Sequence, residues 1–136
     1  MKAAIVFAST TGNTEALAQA VAEGAKAAGK EVMLVAADSA DAQAVLACDE
    51  IFLGSPAMGS EQLEDSMEEF FSGIEGSLSG KKVGLFGSYD WGEGQWITDW
   101  ADRVTGAGAS LVGDVVKAHL APEAEDEANA KALGAK

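Results

Sequence analysis

The sequence predicts an α/β fold, a five-stranded parallel sheet covered by helices on both faces. Five short runs are apolar almost throughout: "AAIVFA", "VMLVAA", "EIFLGS", "KKVGLFGS" and "ASLVGDVVKAHL". Strands buried on both faces read this way, whereas a half-solvated antiparallel sheet alternates apolar and polar residues. Each run is followed by a stretch with helical spacing, and that regular alternation sets successive strands parallel through right-handed crossovers. At 136 residues and 48% hydrophobic composition, the chain makes one domain over residues 1–136. A domain of that size buries about two-thirds of its unfolded surface.

Residues 3–8 form the first strand. The helix "NTEALAQAVAEGAKAAG" follows, with Leu17, Val21 and Ala25 on one face and Gly29 as its stop. The second strand spans 32–37 and leads into a short helix in "DAQAVLAC". The third spans 50–55, after which "EQLEDSMEEFFSGI" places Leu63, Met67, Phe70, Phe71 and Ile74 at helical spacing. The fourth spans 81–88, followed by "GQWITDWADRVTGAG", where Trp96, Trp100 and Val104 recur every four residues and read as packing. Residues 109–120 form the fifth strand, with a bulge at Gly113, and "PEAEDEANAKALGAK" a last, acidic helix that reads as solvated.

Composition excludes several classes. The net charge is −13, and residues 31–80 contain no lysine or arginine but eleven of the 22 carboxylates. A nucleic-acid binder needs a basic stripe, so nucleic acid is not an expected partner. No apolar run approaches the roughly 18 residues of a membrane span, and the six-residue run after Lys2 is too short for a signal peptide. The lone Cys48 allows no internal disulfide or cysteine-clustered metal site and reads as a small buried hydrophobe. The expectation is a soluble cytoplasmic protein without metal.

In a parallel sheet the strand-to-helix loops share one edge, and ligands bind there where strand order reverses. Three of these loops are unusual: "STTGNT", "SPAMGSEQ" and "GSYDWGEG". In the first, Ser9, Thr10, Thr11 and Thr14 offer hydroxyls, Asn13 can donate or cap, and Gly12 permits close backbone approach at a helix N-terminus. It lacks the lysine of an ATP-binding P-loop and does not match the dinucleotide fingerprint. Six or so hydrogen bonds to a dianion supply on the order of 10 kcal/mol before desolvation. Most surface carboxylates lie beyond the Debye length of about 8 Å, so these local donors prevail. In the second loop Met58 suits an aromatic ring, Gly59 lets the Gly59–Ser60 peptide adopt two turn conformations, and Glu61 can read a ring N–H. In the third, Trp91 stands between Asp90 and Gly92, placed to stack on a planar cofactor. His119, near the end of the fifth strand, could approach the edge of such a cofactor, although a lone histidine is more often structural or solvent-facing.

Taken together, "STTGNT", "GSPAMGSEQLEDS" and "KKVGLFGSYDWGEGQW" resemble the short-chain flavodoxins of anaerobic, clostridial-type bacteria, and the likeness covers essentially the whole chain. The uninterrupted fifth strand matches the short-chain class. The resemblance implies a flavodoxin-like three-layer sandwich with strand order 2-1-3-4-5 and non-covalent FMN. Ser9 through Thr14 would wrap the phosphate with help from Ser88. Met58 and Trp91 would cover opposite faces of the isoalloxazine, and Glu61 would pair with flavin N3–H. The Gly59 carbonyl would turn toward N5–H on the first electron. Ser55, Pro56, Ala57, Tyr89 and Gly92 complete the expected cofactor-binding set, with no catalytic residue and no metal. Asp90 departs from the glycine expected of the family and puts a carboxylate beside the ring.

The function so implied is a low-potential one-electron carrier, shuttling between semiquinone and hydroquinone, without its own substrate. An acidic rim (Glu61, Glu64, Asp65, Asp90, Glu93) would disfavour the anionic hydroquinone. One charge about 8 Å away contributes roughly 2 kcal/mol at an effective dielectric near 20. The expected partners are basic-surfaced redox enzymes, bound transiently by a monomer. The alternative is an FMN-dependent NAD(P)H or quinone oxidoreductase of the same fold, disfavoured by the minimal loops and by Trp91 on one face. A phosphoacceptor receiver domain is disfavoured further, because "FASTT" offers no acid after the first strand.

Overall fold

The computed structural model describes residues 1–9, 12–58, 62–90, 92 and 94–136. Its elements are β1 (Lys2–Phe7), α1 (Asn13–Ala27), β2 (Glu31–Ala36), α2 (Ala42–Leu46), β3 (Glu50–Gly54), β4 (Ala57–Met58) and β5 (Gln62–Leu63). They continue with α3 (Asp65–Ile74), β6 (Lys82–Tyr89), α4 (Gln95–Gly106), β7 (Ser110–Leu111), β8 (Val116–His119) and α5 (Ala124–Ala135). The sheet runs β2-β1-β3-β6, with β7 and β8 both parallel to β6. Counting β7 and β8 as one interrupted strand gives the expected order 2-1-3-4-5.

That last strand is more broken than a single bulge. Leu111 pairs with Val83 and Val116 with Phe86, so residues 112–115 face only 84–85 and two extra residues loop out. Gly113 supplies the left-handed backbone there, with φ 65°. The interruption adds no inserted loop beyond those residues.

Strand parity divides the core. Ala4, Val6, Ile51, Leu53, Val83 and Leu85 face α3 and α4, while Ala3, Ile5, Phe52 and Phe86 face α1 and α5. On the second face, glycines and phenylalanines alternate across β3 and β6: Phe52 lies opposite Gly84, and Gly54 opposite Phe86. A Cβ on Gly54 would fall 2.0 Å from the Phe86 ring, and one on Gly84 would fall 2.6 Å from that of Phe52. Each ring covers the glycine of its neighbour strand, so Phe52 and Phe86 fit on adjacent strands only because their partners carry no side chain.

The acidic last helix is not solvated all round. Ala130, Leu133 and Gly134 are buried, and α5 lies so close to α1 that a Cβ on Gly24 would meet the Lys131 carbonyl. A Cβ on Gly134 would likewise meet the Val21 carbonyl. Small residues allow two backbones to approach this far, and composition alone hid a narrow apolar seam. Trp96 and Trp100 pack as expected, 2% and 1% exposed.

Candidate functional site

The loops after β1 and β3 diverge where the chain turns toward opposite ends of the sheet, the reversal point at which open α/β sheets bind ligands. A cavity of about 180 Å³ opens there, lined by Asn13, Pro56, Ala57, Ser88, Tyr89, Asp90 and Leu120. A larger hollow of about 500 Å³ lies between the break in the last strand and α5, lined by Gly113, Val116, Asn129 and Leu133 among others. It gathers none of the three special loops, so size does not locate the site.

Local geometry explains how the first loop is held. Ser9 Oγ accepts from the N–H groups of Gly12 at 3.0 Å and Glu15 at 3.4 Å. Gly12 enters α1 with φ 89°, a conformation glycine adopts at little cost, and gives that helix no side-chain cap. With Glu15 N taken up by Ser9, the amides of Asn13 and Thr14 are left to an outside acceptor. The buried hydroxyls of Thr14 and Ser88 bond each other at 2.7 Å, tying α1 to β6. A hydroxyl has one hydrogen, so one of the pair donates to the other, and only the second keeps a hydrogen for a ligand.

After β3 the chain forms a hairpin that helical spacing had masked. Ala57 pairs with Leu63 and Met58 with Gln62, antiparallel. The third helix begins at Asp65 rather than Glu61, because Glu64 caps it by accepting from Ser66 N at 3.0 Å and from the Ser66 hydroxyl. Ser55 is fully buried beneath this hairpin. Its hydroxyl donates to the Pro56 carbonyl and accepts from Glu64 N, both at 3.0 Å, and its carbonyl accepts from Trp96 Nε1 at 3.3 Å. Ser55 thus braces the wall that Pro56 and Ala57 present to the cavity. Met58 is 37% exposed at the hairpin's end.

Of the expected cofactor-binding residues, the structure gathers Asn13, Pro56, Ala57, Ser88, Tyr89 and Asp90 on one cavity, flanked by Ser9, Gly12, Thr14 and Ser55. Gly92 lies just past Asp90 with φ 85°. Thr10, Thr11, Gly59, Glu61 and Trp91 lie outside the described residues, as do Ser60 and Glu93. Leu120 was missed. It lines the cavity from the loop after β8, is 48% exposed and holds φ 62°, the only left-handed non-glycine among the described residues.

Burial pushes the Cys48 thiol above its ordinary value, with Lys2 partly opposing, in keeping with an inert core side chain. Among the described residues no cluster of three or more His, Cys, Asp or Glu could hold a metal, and no helix is long and apolar enough to cross a membrane.

Comparison with known proteins agrees with this geometry. A family model described as Flavodoxin matches residues 5–133. Flavodoxin of Megasphaera elsdenii is 46% identical over 134 residues, 94% of this chain and 98% of that one. Flavodoxin of Clostridium beijerinckii is 43% identical over 109 residues, 79% of each chain. The solution structure of the two-electron reduced Megasphaera elsdenii protein aligns with a TM-score of 0.89 at 44% identity, covering 98% of this chain and 96% of that one. The chain belongs to the flavodoxin family, proteins that bind FMN and carry electrons rather than turn over a substrate.

Proposed function

We propose that FMN is held as part of a single FMN-binding unit, at the cavity bounded by Asn13, Pro56, Ala57, Ser88, Tyr89, Asp90 and Leu120. The observation that carries this reading is the convergence of the loops after β1, β3, β6 and β8 at the reversal point of the sheet. The donor chemistry fits the cofactor. Asn13, the free hydrogen of the Thr14–Ser88 pair and the uncapped start of α1 suit a phosphate. Pro56, Ala57 and Leu120 supply apolar wall for a ring system. The volume also bears on pose. About 180 Å³ is below the roughly 300 Å³ of a site that encloses a drug-sized ligand, so this cavity takes one end and leaves the rest at the surface. An exposed redox group suits a carrier whose partners must approach it.

Bound FMN supplies the one-electron redox chemistry; the chain's own residues anchor, orient and partly desolvate it. Ser9 fixes the loop that presents the α1 amides, and Ser55 stiffens the Pro56–Ala57 wall. Asp90 is exposed and lines the cavity, whereas Glu64 is engaged in capping α3 and Asp65 borders a separate hollow with Gln62 and Trp96, so the described part of the acidic rim at the cavity rests on Asp90. The net charge of −13 supports brief docking of basic-surfaced redox enzymes on a monomer in the cytoplasm.

Titration of the FMN-free protein by flavin fluorescence tests the site. Ser88→Ala and Asn13→Ala are expected to weaken binding about ten- to a hundredfold each, the range of one lost hydrogen bond to a charged group. Unchanged affinity in both would move the site elsewhere. Electron-transfer rates to a basic partner are expected to fall steeply as salt rises, and a flat salt dependence would contradict the docking reading.

A further inference from the structure

The end of β8 is bound to the end of β6 by more than the sheet ladder. His119 Nε2 lies 2.9 Å from the Asp90 carbonyl oxygen. A carbonyl can only accept, so Nε2 carries the hydrogen and donates it. The imidazole packs on Tyr89 with ring centroids 5.1 Å apart, and Tyr89 packs in turn on Trp96 at 5.6 Å. One residue further on, Leu120 N donates to the Tyr89 carbonyl at 2.8 Å, and the left-handed backbone of Leu120 keeps its side chain on the cavity. Two residues earlier the Lys117 side chain crosses Gly94, where a Cβ would fall 2.7 Å from Nζ. Lys117 and His119 both stand on the outward face of β8, as the alternating burial of that strand requires.

We propose that this outward face is a clasp for the loop after β6: His119 anchors the Asp90 carbonyl, Lys117 lies over Gly94, and together they position that loop for cofactor binding. The clasp rests on the cavity described above being the FMN site. His119 is the chain's single histidine, and Asp90 is the position where the sequence departs from its family's expected glycine. A glycine here would leave the backbone free to take more conformations, while Asp90 with its carbonyl pinned is confined to fewer. His119 is thus a positioning residue that acts through the loop. Losing the clasp loosens the Tyr89–Asp90 wall against the bound cofactor, so it speeds dissociation more than it slows association.

The test measures FMN affinity and stopped-flow dissociation on the full chain. His119→Ala is expected to weaken FMN binding about three- to tenfold, chiefly through faster dissociation. His119→Gln, which keeps an N–H donor at similar reach, is expected to recover binding to within about twofold. Lys117→Ala is expected to give a smaller loss of the same sign. Ile74→Val, a distant core truncation, serves as the stability control and is expected to lower the melting temperature without altering dissociation. If Ser88→Ala weakens binding while His119→Ala does not, the clasp is wrong and the site stands. If neither weakens it, the site reading itself fails. Loss of affinity in Ile74→Val equal to that in His119→Ala would reduce His119 to a general stabiliser and overturn the proposal, as would failure of His119→Gln to recover.

Discussion

Leu120 adopts a backbone conformation that costs a branched side chain about 1 kcal/mol or more, yet it is half-exposed and gains little from burial. Asparagine tolerates that region. Leu120→Asn is expected to raise stability in urea by about 1 kcal/mol while weakening FMN binding, because the apolar wall is lost. A variant that loses both would show that the leucine is held by packing rather than strained for the site. Cys48 behaves in the opposite way, as a side chain with no demand on function. With its thiol raised by burial, alkylation by iodoacetamide at pH 8 is expected to run at least about tenfold slower in the native protein than in urea. The sequence disclosed Cys48 and the loops after the first, third and fourth strands, because unusual residue types cluster there. Leu120 was invisible: nothing in an ordinary leucine after a strand announces a positive φ.

Among elements, complementary shape matters more than propensity. Gly84→Val would drive a branched side chain into the Phe52 ring, and Gly54→Ala would drive its one methyl into that of Phe86. Each is expected to cost about 1–3 kcal/mol as overpacking, read as a lower denaturation midpoint. The spacing of apolar residues found the helices correctly but extended α3 backward over β5, since Leu63 happens to continue its period. Only the Glu64 cap, a hydrogen-bonding event, sets the true boundary. Between α3 and α4, Arg103 bonds Glu68 at 2.7 and 3.0 Å and Glu75 at 3.2 Å, and its guanidinium lies 4.8 Å from the Phe71 ring. The hydrogen bond from Arg103 holds the Glu68 carboxyl below its ordinary value of 4.5, with burial opposing. A depressed folded value means that the stabilisation is present above the unfolded value and is lost as pH falls through the folded one. Arg103→Met is therefore expected to flatten the loss of stability below about pH 4.5. Glu68 is 45% exposed, so solvent keeps the effect under about 1 kcal/mol.

At the scale of the whole molecule, a buried ion pair ties the starts of β2 and β3 to the end of α5. Lys30 Nζ lies 2.5 Å from Glu50 Oε1, with side chains 7% and 2% exposed, and donates to the Gly134 carbonyl at 2.9 Å. Its alignment toward Glu50 is ionic rather than that of a good hydrogen bond. Lys30→Met leaves a buried carboxylate without its cation and is expected to cost about 3 kcal/mol or more in urea denaturation. The layered architecture and strand order were legible because continuous apolar strands and short connections admit few topologies. The contact of α1 with α5 was not, since it depends on Gly24 and Gly134 matching across about a hundred residues of chain. That contact fixes a timetable for biosynthesis. Val21 and Gly24 emerge early from the ribosome, about a hundred residues before the α5 backbone that covers them. Without α5 the buried backbone at Val21 and Gly24 is laid open, so a chain cut before Ala124 is expected to be cleaved there by protease far faster than the full chain.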